Sequence, residues 1–153
     1  NYGAKNYLRV EEVYNKALKY GCIIMCFGGI IIFFSAEYAV GLFTNDIQVI
    51  KYGSTYLKIT ALMEPIYPIF FISNALIQAL KKATYVMFLT MFRMVILPGI
   101  TLWYLIIYLN SSFEFVFIGL LVINWIFGIF LYFFTRIFMK KNFSRIKLKE
   151  QSI

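Results

Sequence analysis

The chain has 153 residues, of which 61% are hydrophobic and 14% are charged, and its mean hydropathy is +0.76. An ordinary soluble domain is about half apolar and about a quarter charged. A soluble domain of this length buries roughly two-thirds of the surface that its unfolded chain exposes, so much of this apolar surface would stay in contact with water. The composition therefore excludes an ordinary soluble globule and favours a protein whose solvent is lipid.

The net charge of +8 is compatible with a basic face that binds nucleic acid or with basic residues sorted to one side of a membrane. The sequence has no histidine, and its two cysteines, Cys22 and Cys26, lie one helical turn apart in an apolar run. Such a set provides neither a zinc site nor a disulfide framework. We therefore interpret both cysteines as small helix-packing residues, and we expect no metal site and no cofactor.

The first nineteen residues carry charged side chains throughout and lack the apolar core of a signal peptide. Apolar side chains at three- and four-residue spacing predict an amphipathic helix here, and they are Tyr7, Val10, Tyr14, Ala17 and Tyr20. The sequence begins with Asn1 and not with methionine, so we expect it to start inside a longer reading frame. Residues 1–19 are therefore predicted to form an amphipathic lead-in.

Four stretches are long enough to cross a hydrocarbon core of about 30 Å, which takes about 20 helical residues. They span residues 20–40, 57–80, 83–109 and 115–136. These stretches predict an all-α membrane protein with a four-helix transmembrane part over residues 20–139, followed by a basic tail over residues 140–153.

Prolines and glycines predict irregular packing within these spans. Pro65 and Pro68 interrupt the second span and Pro98 interrupts the third, so kinks are expected at both places. In the first span, Gly28-Gly29 would let a neighbouring helix approach closely. Asp46 precedes an apolar run and is a suitable capping residue, so the second helix is predicted to begin there, outside the bilayer.

Basic residues sort to alternate connections between the spans. One side collects Lys5, Arg9, Lys16, Lys19, Lys81, Lys82, Arg136, Lys140, Lys141, Arg145, Lys147 and Lys149. The other side has only two lysines among three acidic residues, namely Lys51, Lys58, Glu37, Asp46 and Glu114. Because cytoplasmic connections carry the excess of lysine and arginine, both ends are predicted to be cytoplasmic, with a tight turn over residues 79–83. The alternation argues against a nucleic-acid partner.

Two charged residues lie within the apolar spans, Glu64 in the second and Arg93 in the third, and an intramembrane charge is by default a functional candidate. At 1.5 Å per residue from the Lys81-Lys82 turn, Arg93 lies about 16 Å deep and Glu64 about 26 Å deep. Glu64 is the candidate for binding a coupling ion, Na⁺ or H⁺, in a water-filled cleft. Two alternatives stay open: a Glu64–Arg93 charge pair that fixes helix packing, and a Glu64 carboxylate that meets water at the membrane interface. For Arg93 a packing role is favoured.

Polar residues accompany Glu64 along the second span. Tyr67, Asn74 and Gln78 follow it at spacings of three, seven and four residues, which keep most of them on one helix face. We therefore predict that these three residues line a cavity. Hydrogen bonding between helices explains Asn74, Gln78 and Asn124 equally well. The spans offer no catalytic constellation and no phosphate-binding glycine loop, so the chain is predicted not to be an enzyme.

Several segments resemble the multidrug and toxic compound extrusion (MATE) family. The opening NYGAKNYLRV resembles the segment that follows even-numbered helices in that family, and the run Leu42-Phe43-Thr44-Asn45-Asp46 resembles its loop into helix ten. The run Gln78-Ala79-Leu80-Lys81-Lys82 resembles the following turn, and Arg93 with Pro98 resembles the Arg-to-Pro stretch of helix eleven. The resemblance covers residues 1–141, and the order and spacing of the motifs agree with it.

The resemblance implies that the four spans are helices nine to twelve of a twelve-helix transporter, whose other eight helices belong to the same polypeptide. It further implies a bacterial inner-membrane antiporter that expels amphipathic, often cationic small molecules in exchange for Na⁺ or H⁺. In the branch best known for sodium coupling, an aspartate lies deeper in helix ten, where this chain has Phe70 or Phe71. Glu64 would then be a displaced substitute, or coupling resides in the other helices.

Two other functions stay open at this point. A flippase for lipid-linked oligosaccharides has a related fold, but it would carry more cationic cavity residues than Arg93 alone. A small membrane module that packs against a partner without transporting anything would have its own start codon just upstream. The residues favour the multidrug exporter over both.

Overall fold

The protein is described from a computed structural model that covers residues 3 and 6–151, with side chains through residue 144. Within this part of the chain the regular structure is helical and no strand forms. Four helical stretches are long and apolar enough to cross a membrane, and we call them the first to fourth spans: Tyr7–Gly41, Ile47–Ala79, Ala83–Tyr108 and Phe113–Ser144. The predicted all-α fold with four transmembrane helices is confirmed.

The first span is one uninterrupted helix, α1, which runs from Tyr7 to Gly41. Its first turn is capped by Asn6, whose side-chain oxygen accepts a hydrogen bond from the backbone N–H of Arg9 at 3.2 Å. The amphipathic segment predicted ahead of the membrane is therefore continuous with the first span. At 1.5 Å per residue, a helix of 35 residues is about 52 Å long and extends well beyond a hydrocarbon core.

The second span consists of two α-helices joined by a short 3₁₀ turn. Helix α2 covers Ile47–Ala61, the 3₁₀ turn covers Glu64–Ile66, and helix α3 covers Tyr67–Ala79. The predicted start is confirmed, because one carboxylate oxygen of Asp46 accepts the backbone N–H groups of Gln48 at 2.8 Å and Val49 at 3.3 Å. The break coincides with the two prolines of this span, which lack the N–H that a continuous helix needs.

A tight turn connects the second and third spans, as predicted. Lys81 has a φ of 59°, in the left-handed region. The N–H of Lys82 reaches back to the carbonyl of Ile77 at 3.2 Å, and the N–H of Lys81 reaches the carbonyl of Gln78 at 2.8 Å. This pattern closes the end of α3 in the way that a C-terminal glycine usually does, although a lysine occupies the position.

The third span alternates between α-helical and wider π-helical turns. Its α-helices α4 and α5 and the two π segments that follow them cover, in chain order, Ala83–Met91, Phe92–Ile96, Leu97–Leu102 and Trp103–Tyr108. The irregularity expected at Pro98 is thus a π-helical turn directly ahead of the proline. A proline leaves a carbonyl of the preceding turn without its usual N–H partner, and a π-helical turn accommodates this change in the hydrogen-bond pattern.

The fourth span belongs to a long helix, α6, which covers Phe113–Gln151. The second span lies between α1 and α6, and it is the most buried of the four spans. The third span packs against α6 and, near the hinge, against α3. The predicted basic tail over residues 140–153 begins within α6, and the side chains of Arg145, Lys147 and Lys149 lie outside the described residues, as does Lys5.

Successive connections between the spans lie at alternate ends of the bundle, as the distribution of the basic residues predicted. At the end that we call the basic end, the ring of Tyr7 lies 4.9 Å from that of Phe143, and the ring of Tyr85 lies 5.5 Å from that of Phe138. The start of α1, the hinge and the end of α6 therefore share this end. The opposite end, which we call the distal end, is formed by the connections over residues 42–46 and 109–112.

Two glycines hold the break in the second span between the neighbouring helices. A Cβ atom on Gly29 of α1 would lie 2.7 Å from the backbone oxygen of Ala61, and a Cβ atom on Gly128 of α6 would collide with the side chain of Ile66. Of the predicted glycine pair, Gly29 makes the close approach, whereas a Cβ on Gly28 would meet nothing within 4 Å. The broken segment is thus packed tightly on both sides.

We expect Gly29→Ala to destabilise the protein by about 1–3 kcal/mol, because its new methyl group meets a backbone oxygen that cannot rotate away. The matched change Gly28→Ala adds the same methyl group where there is space, and alanine favours helix by up to about 1 kcal/mol. Thermal unfolding in detergent should therefore show a lower midpoint for Gly29→Ala and an equal or higher midpoint for Gly28→Ala. Equal midpoints for the two variants would contradict the close approach.

We also expect Lys81→Gly to stabilise the turn by about 0.5–1 kcal/mol, because glycine adopts a positive φ without steric penalty. Lys82→Gly is the matched control, since it removes the same charge at a residue with a φ of −120°. The thermal midpoint should rise only for Lys81→Gly. A rise in both variants would assign the effect to the lost charge.

Candidate functional site

Glu64 begins the 3₁₀ turn in the break of the second span, and its side chain is half-buried. Its Cβ atom lies 3.4 Å from the position that a Cβ on Gly29 would take, so the residue faces α1. Among the described side chains, the Glu64 carboxylate makes no hydrogen bond and no ion pair. The sequence therefore located the charge at the break, and the structure adds the face on which it lies.

Arg93 lies on the opposite side of the second span. Its guanidinium carbon is 3.5 Å from the ring centroid of Phe70 and 5.4 Å from that of Tyr67. Its Nε atom donates a hydrogen bond to the side-chain oxygen of Asn124 in α6 at 3.4 Å. Arg93 is thus held by two aromatic faces and an amide, which agrees with the packing role favoured for it.

The charge pair considered between Glu64 and Arg93 does not form among the described residues. Glu64 faces α1, whereas the aromatic rings that carry Arg93 face the third span and α6. The sequence-based distance concerned only the position along the helix axis. Around the axis the two side chains have different partners, with Glu64 next to Gly29 of α1 and Arg93 on Phe70 and Asn124.

The polar residues predicted to line a cavity do not share one environment. Tyr67 contributes its ring to the arginine contact. Asn74 donates a hydrogen bond from Nδ2 to the hydroxyl of Thr90 at 3.4 Å, and its buried Oδ1 atom has no hydrogen-bond partner within the described part of the chain. Gln78 is exposed near the hinge. Tyr67 and Asn74 therefore contact the third span, while Glu64 faces the first.

An apolar hollow of about 290 Å³ lies between α1 and the break, and Glu64 is not among its lining residues. Its lining comes from both helices: Cys26, Gly29, Ile30, Phe33, Phe34, Ala61, Leu62 and Pro65. No group of three or more metal-binding side chains forms among the described residues. The hollow therefore supplies no polar ligand to an ion, and Glu64 is the ionisable side chain at the break.

Carbonyl oxygens at the break are bound from both neighbouring helices. The indole N–H of Trp125 in α6 donates to the carbonyl of Leu62 at 3.1 Å, and the thiol of Cys22 in α1 donates to the carbonyl of Pro65 at 3.5 Å. Cys22 is thus more than the small packing residue that the sequence indicated. Neighbouring side chains that satisfy freed backbone groups allow a broken helix to exist in a membrane.

A polar junction that sequence reasoning missed lies toward the basic end. The hydroxyls of Tyr14 and Ser73 form a buried hydrogen bond at 2.9 Å, which joins α1 to α3. Arg136 of α6 donates to the side chain of Asn15 in α1 at 2.8 Å. The sequence does show polar residues on the otherwise apolar face of α1, and these could have indicated a contact. Tyrosine and serine are too common, however, for the sequence to identify which residues form it.

No curated protein and no solved structure matches the chain, but a family model does. The match is a family model described as MatE, and it covers residues 1–105, which is more than half of the chain. This range includes Glu64, Arg93 and the first two spans, whereas the motif resemblance ran further, into α6. Members of this family are transporters and not enzymes. The chain therefore belongs to the MATE family of transporters, and it is a multi-pass membrane protein.

Proposed function

We propose that the chain is the C-terminal part of a cation-coupled efflux antiporter, in which Glu64 binds the coupling ion, Na⁺ or H⁺. The proposal includes amphipathic cationic small molecules as substrates and the bacterial inner membrane as location, with both ends cytoplasmic. The remaining helices of the same polypeptide would complete the pathway. Membership of the MATE family supports transport as such.

The observation that carries the proposal is the unpaired state of Glu64. A carboxylate within a membrane-spanning segment is costly unless something offsets its charge. Among the described side chains no cation does so. A proton or a metal cation is then the natural partner, and exchange of that partner is the event that an antiporter needs.

The broken helix around Glu64 supports the same role. Secondary transporters commonly bind ions and substrates where membrane helices are discontinuous, because helix ends there present partial charges. Glu64 follows the C-terminal end of α2, where backbone carbonyls favour a cation, and precedes the N-terminal end of α3. The tight contact of this break with Gly29 would couple the charge state of Glu64 to the position of α1.

The aspartate of the sodium-coupled branch has no acidic counterpart at the corresponding positions. Phe70 is fully buried beneath the guanidinium of Arg93, and Phe71 is exposed on the surface of the bundle. Neither ring can bind a coupling ion through a carboxylate. Glu64, one to two helical turns nearer the distal end, is the acidic residue of the second span that is available for this purpose.

We expect Glu64→Gln to reduce cation-driven efflux of a cationic dye by at least about tenfold in the intact transporter, because glutamine cannot carry or release a charge. Efflux is measured from membrane vesicles with an imposed Na⁺ or H⁺ gradient. The matched control is Glu37→Gln, which removes a carboxylate that pairs with Lys58 at 2.6 Å near the distal end. An exposed pair of this kind contributes about 1 kcal/mol or less.

The control should transport normally, and both variants should reach the membrane in wild-type amounts. Dependence of the wild-type rate on only one of the two gradients identifies the coupling ion. Undiminished efflux by Glu64→Gln would show that the coupling ion binds elsewhere and would leave Glu64 a packing residue.

A further inference from the structure

The guanidinium of Arg93 lies near the middle of the membrane. The hinge between the second and third spans marks the membrane surface at the basic end, since both of its lysines are exposed. At 1.5 Å per residue, Arg93 is about 15 Å from Ala83, where the third span begins. Phe70, whose ring the guanidinium covers, is likewise about 15 Å from Leu80 on the other side of the hinge. Both counts place the charge about halfway across a hydrocarbon core of about 30 Å.

The contacts of Arg93 leave most of its N–H donors unused. Nε donates to Asn124, whereas neither Nη group donates a hydrogen bond within the part of the chain that the structure describes. The rings of Phe70 and Tyr67 attract the positive charge, but a ring face provides no oxygen acceptor for these N–H groups. A half-buried guanidinium at this depth needs a further partner, because hydrocarbon offers neither water nor a counter-ion.

The sequence holds no carboxylate that can serve as this partner. Glu64 lies within the second span, but it faces α1 and not the side on which Arg93 packs. The chain has seven acidic residues in all. The other six lie toward either end of the bundle, and they are Glu11, Glu12, Glu37, Asp46, Glu114 and Glu150. The partner of Arg93 therefore comes from outside these 153 residues.

Depth and charge select the chemistry of the partner. Lipid phosphates lie at the membrane surfaces, about 15 Å from a charge at the midplane. The guanidinium does not extend toward them, because it packs on Phe70 at its own depth. The substrates proposed above are cationic and would be repelled. A carboxylate, in contrast, accepts two parallel N–H bonds from a guanidinium, and this geometry suits the two free Nη groups.

The third span leaves room for a further helix beside Arg93. Only 6% of its most apolar stretch is buried, against 44% for the second span. The neighbours Met91, Phe92 and Met94 are 48%, 42% and 62% exposed. An apolar surface of this kind needs no protein partner in lipid, but a surface that carries an unsatisfied guanidinium does.

We propose that Arg93 pairs with the carboxylate of an aspartate or glutamate on another membrane helix, which packs against the third span. This inference rests on the proposed function, in which the remaining helices belong to the same polypeptide. The two Nη groups donate to the two carboxylate oxygens, while Nε keeps its bond to Asn124. The pair joins the four-helix part to the rest of the transporter near the middle of the membrane.

The test exchanges the two charges in the complete polypeptide and measures stability, so that it does not depend on transport. Arg93→Glu brings two carboxylates together and should lower the thermal unfolding midpoint in detergent by about 5 °C or more. Each membrane-embedded aspartate and glutamate outside residues 1–153 is then changed to arginine in this background. One such exchange should restore most of the loss, because it re-forms the pair in reverse. The amount of folded protein in the membrane gives the same comparison if Arg93→Glu is too unstable to purify.

Met94→Glu is the matched control, since it adds a carboxylate at nearly the same depth where the side chain is exposed. The exchange that restores Arg93→Glu should not restore Met94→Glu. Restoration of Arg93→Glu by Glu64→Arg would show that the two charges of this chain pair with each other, and restoration at no position would show that Arg93 needs no carboxylate. Either result would overturn the proposal. The stability of the exchanged pair does not depend on whether Glu64 binds the coupling ion, so failure of the proposed function is recognised separately, from efflux by Glu64→Gln.

Discussion

The structure depends on the way in which the break of the second span is held between two helices. Pro65 and Pro68 prevent a continuous helix, and the resulting 3₁₀ turn would leave backbone carbonyls without partners in a membrane. Glycines in α1 and α6 let both neighbours approach this turn, and side chains from the same two helices donate hydrogen bonds to its carbonyls. The break is therefore a packed element of the bundle and not a point of weakness.

This arrangement separates the two intramembrane charges. The turn is held from both sides, and Glu64 faces α1. The guanidinium of Arg93 packs on the ring of Phe70, on the side of the third span and α6. Arg93 obtains its contacts from aromatic faces and Asn124, and it leaves Glu64 without a partner among the described side chains. A carboxylate that is not neutralised by the nearest arginine can respond to an ion, which is the property that the proposed antiporter requires.

Features that depend on local chemistry could be predicted from the sequence. Hydropathy located the four spans, and Asp46 located the start of α2. The prolines located the break in the second span and the first π segment of the third, whereas the second π segment, Trp103–Tyr108, has no proline. The lysines and arginines predicted which connections share an end of the bundle. The MATE family also followed from short motifs in the right order. Each of these signals comes from residues that lie close together in the chain, so it does not depend on how the helices pack.

Features that depend on direction around a helix axis could not be predicted in the same way. The pair Gly28-Gly29 offered two equivalent candidates, and only packing against Ala61 distinguishes them. Gly128 gave no signal, because a single glycine in an apolar run is common. Helical spacing also placed Glu64 with Tyr67 on one face, but the 3₁₀ turn and the neighbouring helices give them different partners.

The separation of Glu64 from Arg93 is the central claim, and a double-mutant cycle tests it most directly. The free energy of unfolding is measured in detergent for wild type, Glu64→Gln, Arg93→Gln and the double variant. Residues without a shared contact show additive effects within about 0.5 kcal/mol, whereas contacting charges show coupling of about 0.5–3 kcal/mol. We expect additivity for this pair and measurable coupling for the corresponding cycle of Arg93→Gln with Asn124→Ala. A coupling energy above about 1 kcal/mol between Glu64 and Arg93 would show instead that the two charges interact.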